Sequence, residues 1–133
     1  AKNKYNNLNK INLDLGDSAY VLKNIIINVD KNAIIFLDGH YSSGITGKGI
    51  KDVPLYEELN AIVTNFKNHC IIIIDDVRLF GHGPNTPESY HSEDWSNINI
   101  DTILDIVKPK LISHYLLPSK LHNEDRLIIH LSN

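Results

Sequence analysis

The chain is poor in sulfur, with one cysteine and no methionine in 133 residues. The lone Cys70 excludes an internal disulfide. It opens an apolar run and reads as a small buried hydrophobe rather than a reactive thiol. Long apolar runs are also lacking. None reaches the roughly 18–20 residues that span a bilayer, and no signal peptide stands at the start. Charge of one sign is scarce: the formal net charge of -3 makes no electrostatic case for nucleic acid or an anionic membrane. Repeats, low-complexity tracts and linkers are missing too. These absences leave a cytoplasmic protein, without nucleic-acid or membrane partners, as the expectation. The length allows one domain, 1–133, large enough to bury a core without staples.

Two apolar runs that stop on aspartate organise what is there. The first is Ala33-Ile34-Ile35-Phe36-Leu37-Asp38, the second Cys70-Ile71-Ile72-Ile73-Ile74-Asp75-Asp76. Neither alternates with polar residues, so both predict parallel strands covered on both faces. Ile11 to Leu15 does alternate and predicts a short strand. Asp17 is placed to cap a helix running to about Asn28. A second helix starts near Pro54, with Glu57 and Glu58 at its positive end and Leu55, Leu59, Ile62, Val63 and Phe66 on one stripe. A third, carrying Ile100, Ile103, Leu104 and Val107, must stop by Pro109. Leu111–Leu117 and Arg126–Leu131 read as strands whose connection is too short for a helical crossover, so they pair antiparallel at one sheet edge. The whole predicts a three-layer α/β fold, mostly parallel, closed by an antiparallel C-terminal hairpin.

In an open parallel sheet, ligands bind beyond the C-terminal strand ends. Neighbouring strands lie about 4.8 Å apart, so Asp38 and the Asp75-Asp76 pair should face one crevice. Like charges so close call for a cation or a shared proton. Magnesium or calcium suits the acids; His40 and His82 invite a softer ion such as zinc, manganese or iron. The bland alternative is that these acids cap helices and turns. On a strand, Asp75 and Asp76 cannot point the same way, so one of them is expected to be structural. His40 opens a Gly-rich loop and reads as a general base, or equally as a loop residue bonded to backbone. Lys48 is a further candidate base; Phe80 and Trp95 are candidate covers of the crevice or ordinary core residues.

The segments Gly16-Asp17-Ser18, Phe36-Leu37-Asp38-Gly39-His40-Tyr41-Ser42-Ser43-Gly44 with Thr46, Pro54-Leu55 with Glu57-Glu58-Leu59, and Ile73-Ile74-Asp75-Asp76-Val77-Arg78-Leu79-Phe80 occur in that order. Together they resemble the later motifs of class I S-adenosylmethionine-dependent methyltransferases, closest to relatives of the macrocin-type sugar O-methyltransferases. The resemblance covers about residues 1–108 and implies a Rossmann-like methyltransferase fold. It implies that Asp17 and Ser18 lie by the adenine of S-adenosylmethionine, that Asp38 ends the fourth strand and Asp75-Asp76 the fifth, and that Asp38, Asp75 and Asp76 hold magnesium. His40 and Asp38 are then the catalytic candidates. The implied substrate is a sugar or another small hydroxylated metabolite. The family's first strand, Gly-rich cofactor loop and ribose-binding acid would fall upstream of residue 1, so the resemblance reads this chain as the C-terminal two-thirds of such a domain with its N-terminal strands missing. Strands left beside that gap must re-pair, dimerise or exchange elements, which makes a homodimer an open expectation. Two other readings use the same residues: a metal-dependent hydrolase, and a degenerate non-catalytic interaction module.

Overall fold

A computed structural model describes residues 10–40, 51–84 and 93–133. The elements follow the apolar runs. Helix α1 spans Ser18–Ile26 and strand β1 Ala33–Leu37; α2 spans Leu55–Asn65 and β2 Cys70–Ile74. Helix α3 covers Ile100–Val107, and the hairpin strands are β3, Leu111–Leu117, and β4, Arg126–Leu131. Single 3-10 turns at Val77–Leu79 and Lys108–Lys110 join them.

Local chemistry sets the helix ends. The Asp17 carboxylate accepts the Ala19 N–H at 3.0 Å and caps α1. Asn99 caps α3 by accepting the Thr102 N–H at 2.8 Å. Pro109 falls in the 3-10 turn that ends α3, because proline has no N–H to continue the ladder. Leu55, Leu59, Ile62 and Phe66 recur every three or four residues along α2 and at its C-cap, and all four are buried.

The four strands form one mixed sheet in the order β1-β2-β4-β3. β1 and β2 are parallel, with Leu37 opposite Ile74. β4 inserts between β2 and β3 and is antiparallel to both. The hairpin therefore lies at one edge as expected, but among the described residues the sheet has one parallel pair and two antiparallel ones rather than being mostly parallel. Antiparallel pairing wins because a short connection returns the chain directly beside its own last strand.

Two further expectations are corrected. The segment from Ile11 to Leu15 is not a strand. Its alternation is real, but among the described residues it has no neighbouring strand to satisfy its backbone groups, and Leu15 is 92% exposed. The sheet is also covered on one face only among the described residues. All three helices share a single core with Leu37, Ile72, Ile74, Leu127 and Ile129. On the other face Ile34 and Phe36 are 70% and 54% exposed. The layers described are thus two, not three. A run without polar residues signals an apolar strand on both faces, but it does not say what covers each. No helix among the described residues is long and apolar enough to cross a membrane.

Candidate functional site

The parallel register sets the site. Leu37 and Ile74 are paired, so the chain leaves β1 and β2 side by side and the Asp75 N–H reaches the Leu37 carbonyl at 3.2 Å. Asp76 then adopts a left-handed conformation, φ 64° and ψ 32°. Aspartate tolerates this region better than most residues, and the turn swings its carboxylate away from that of Asp75. Asp76 Oδ2 lies 3.0 Å from His40 Nε2, and its Oδ1 2.6 Å from Arg78 Nη1. Asp75 instead accepts the Asp76 N–H at 3.1 Å and faces Arg126 Nε at 3.4 Å. The two acids take different partners although β2 ends at Ile74 and strand alternation does not reach them; one oxygen of each still lies within 4.8 Å of the other.

His40 is the centre of the arrangement. Its Nε2 looks toward Asp76 and, at 3.8 Å, toward Asp38 Oδ1. Its Nδ1 lies 3.1 Å from Glu93 Oε2, the same oxygen that accepts the Trp95 indole N–H at 2.8 Å. Trp95 is buried and packs its ring edge-on to the imidazole at 5.1 Å, with Phe80 stacked at 6.1 Å behind it. Phe80 and Trp95 both wall the crevice.

This geometry limits the chemistry. If Nδ1 carries its hydrogen toward Glu93, Nε2 and Asp76 Oδ2 are two acceptors 3.0 Å apart. Something positive must sit between them: a proton or a metal ion. Asp38, His40 and Asp76 each offer one ligand atom, all within 4.8 Å of one another. A histidine ligand whose other nitrogen is held by a carboxylate is the usual support for a bound metal. Two carboxylates and one imidazole suit manganese, iron or zinc as well as magnesium. The half-open space lined by Asp38, His40 and Asp75 is about 20 Å³, room for one water or a bare ion. Asp75, Asp76 and Asp125 also lie within such reach of one another. There, however, Arg78 Nη1 is already 2.6 Å from both Asp76 and Asp125, so a guanidinium does the work of a cation.

The Asp38 carboxyl is held above the usual carboxylate range, first by partial burial and next by the Asp76 charge. Glu58 is 3% exposed and also lines the crevice. Burial pushes its carboxyl up, against the Ser18 hydroxyl that bonds it. A Cβ on Gly39 would lie 3.2 Å from Glu58 Oε1 and 3.5 Å from Ser18 Oγ, so the N-terminus of α1 abuts the end of β1 through these groups. A raised folded-state pKa means that this carboxyl favours the fold below its unfolded value near 4.3 and costs stability as pH rises through the folded value. Glu58→Gln should therefore flatten the loss of stability between pH 4 and 7. Urea melts at both pH values check this; a variant that loses stability equally with rising pH contradicts it.

Of the residues singled out in the sequence, Asp38, His40 and Asp76 are brought together, and Asp75 borders the same crevice while facing Arg126. Asp17 caps α1, and Ser18 is beside Gly39. His82 bonds the Gly83 carbonyl at 2.9 Å through Nδ1. Lys48, His91 and the loop glycines 44, 47 and 49 lie outside the described residues. The sequence reading missed Glu93. It sits 53 positions from His40 in an irregular segment, and its only local signal is the tryptophan two residues on. Glu93→Gln keeps an acceptor for the Trp95 indole but removes the charge behind His40. Manganese affinity should fall by about 10- to 100-fold, as for other carboxylates behind a metal-bound histidine. Titration followed by electron paramagnetic resonance measures it, and unchanged affinity would show that Glu93 only braces Trp95.

No protein-family profile matches this chain, and neither the curated proteins nor the solved structures contain a significant match to it.

Proposed function

We propose that the crevice is the cation pocket in the substrate half of an S-adenosylmethionine-dependent O-methyltransferase-like site, with a sugar or another small hydroxylated molecule lying over its mouth. The observation that carries the reading is the convergence of Asp38, His40 and Asp76 at two adjacent parallel strand ends, with His40 fixed from behind by Glu93. Supporting it, α1 begins beside that corner, where the resemblance puts the cofactor's adenine. Among the described residues β1 also has one unpaired edge, on the side where the resemblance puts the cofactor-binding strands.

Asp38, His40 and Asp76 fit a divalent cation, which would supply charge to orient and acidify a substrate hydroxyl. The protein's own groups do the rest. Glu93 fixes the imidazole, and the Phe80–Trp95 pair keeps solvent from its inner face. The Asp38 side chain is 48% exposed at the mouth of the crevice. Its position at the mouth makes it the group placed to accept a hydroxyl proton. Methyl transfer then depends on holding oxygen and methyl donor in line, which is positioning rather than bond-making by the protein.

The test uses the native protein, methyl-labelled S-adenosylmethionine and a panel of sugars and diols, with manganese or with a chelator. Label should pass to a hydroxylated acceptor only with the ion present. Failure to bind the cofactor under either condition would overturn the reading. A metal-dependent hydrolase is the second reading, favoured by one observation: an imidazole held between Asp76 and Glu93 would also suit taking a proton from an attacking water, with a cation at the neighbouring acids supplying charge. Cofactor-free turnover of phosphoesters would select it.

A further inference from the structure

A second hollow lies on the far side of the Asp75-Asp76 corner. It measures about 590 Å³ and is walled by Arg78, the turn around Ser119 and Lys120, and Arg126. Asp75 lines both this hollow and the crevice, so the two spaces meet there. The formal charges of its walls balance, but they are not equally engaged. Arg78 is spent on Asp76 and on the fully buried Asp125. Lys120 is exposed and makes no ion pair with a described residue. Arg126 faces Asp75 only loosely, and its buried Nε has no hydrogen-bond acceptor.

The turn that carries Lys120 is pinned. Ser119 Oγ donates to Asp125 at 2.5 Å and accepts the Leu121 and His122 N–H groups at 2.9 and 3.3 Å. The fixed turn holds the Lys120 backbone beside a half-committed guanidinium in the walls of one hollow, so the backbone needs little further ordering to close on a ligand. An ammonium and a guanidinium together suit a group with several anionic oxygens, for which the guanidinium fork has the matching geometry. Two of the three acids in its walls, Asp76 and Asp125, are already paired with Arg78, and an anion would compete with Asp75 alone for Arg126.

We propose that this hollow is a subsite for an anionic substituent, a carboxylate or a phosphate, carried by the hydroxylated molecule whose hydroxyl reaches the mouth of the crevice, with Lys120 and Arg126 as its contacts. That one molecule spans both places rests on the function proposed above; the anion contact itself does not.

The ¹⁵N-labelled native protein is titrated with glucose 6-phosphate, glucuronate and glucose, each with magnesium and with a chelator, following amide shifts. The anionic sugars should shift the amides of 75–78 and 119–126 saturably, and glucose should not. Lys120→Gln and Arg126→Gln should each weaken that binding about tenfold, while Lys23→Gln on α1 leaves it unchanged. Lys120 is exposed on its turn, so its variant reads binding rather than folding. Response to one anion alone supports the subsite and names its group. Equal response to glucose, or unaltered affinity in Lys120→Gln, overturns it. Anion binding that survives while the ion fails to bind Asp38, His40 and Asp76 would remove the function proposed above and leave the subsite. Ion binding without anion binding would remove the subsite alone.

Discussion

Asp125→Ala should cost on the order of 3 kcal/mol of folding stability at pH 7, toward the lower end of what breaking a buried ion pair costs. Asp125 is fully buried where β4 begins. Its Oδ1 accepts the Arg78 N–H at 3.2 Å, and its Oδ2 takes Arg78 Nη1 at 2.6 Å and the Ser119 hydroxyl at 2.5 Å. Its carbonyl also accepts the Val77 N–H at 3.0 Å. One carboxylate thus ties the turn after β2 to the turn before β4. The figure stays at the low end because Arg78 is a quarter exposed and keeps Asp76.

The pH dependence is specific. Burial alone would raise the Asp125 carboxyl, but the Ser119 hydroxyl and the Arg78 amide and guanidinium outweigh it and hold the carboxyl below its usual range. A depressed folded-state pKa contributes stability above the unfolded value of about 3.9, lost as pH falls through the folded value. The gap between wild type and Asp125→Ala should therefore be full at pH 7 and narrow below about pH 4. Glu58 carries the opposite sign, so the difference between the two proteins, not the wild-type curve alone, isolates Asp125. Urea unfolding at pH 7 and pH 3 measures it; a gap independent of pH would mean that the carboxylate's charge is not what stabilises the corner.

Asp76→Asn should lower manganese affinity at least about 100-fold, a loss of roughly 2.7 kcal/mol. Asparagine tolerates the left-handed backbone at this position, and Arg78 retains Asp125, so the fold should survive. What is lost is one anionic ligand facing His40. Asp75→Asn is the matched comparison, with the same chemistry one residue away. Because Asp75 faces Arg126, that change should move the affinity less than about threefold, well under the 1.4 kcal/mol of a tenfold effect. Calorimetric titration of both variants distinguishes them. Equal losses would mean that the ion sits among all three acids, as the resemblance implied.

Much of this architecture is legible in the residues. Apolar five-residue runs place β1 and β2, the stripe from Leu55 to Phe66 places α2, and the short link before Arg126 requires an antiparallel hairpin. That the Asp38 and Asp75-Asp76 ends lie together is legible for a physical reason: strand-end chemistry is local, and the parallel register carries it to one place. That His40, rather than Asp75, gathers with Asp38 and Asp76 is not legible there. The unread parts are tertiary. Insertion of β4 beside β2 depends on the fit of Leu127 and Ile129 against Ile74 and Ile72, which no single segment announces. Ile11–Leu15 has no neighbouring strand among the described residues, and alternation cannot report that. Glu93 acts through His40 across 53 residues, so its role exists only once the fold brings them together.

The proposed cation site at Asp38, His40 and Asp76 is the point on which the functional reading turns, and pulsed electron paramagnetic resonance of bound manganese tests it most directly. The account predicts one ion per chain with the modulation of a single directly bound histidine nitrogen, absent in His40→Gln. An ion bound without nitrogen coupling, or the same coupling in His40→Gln, would contradict it.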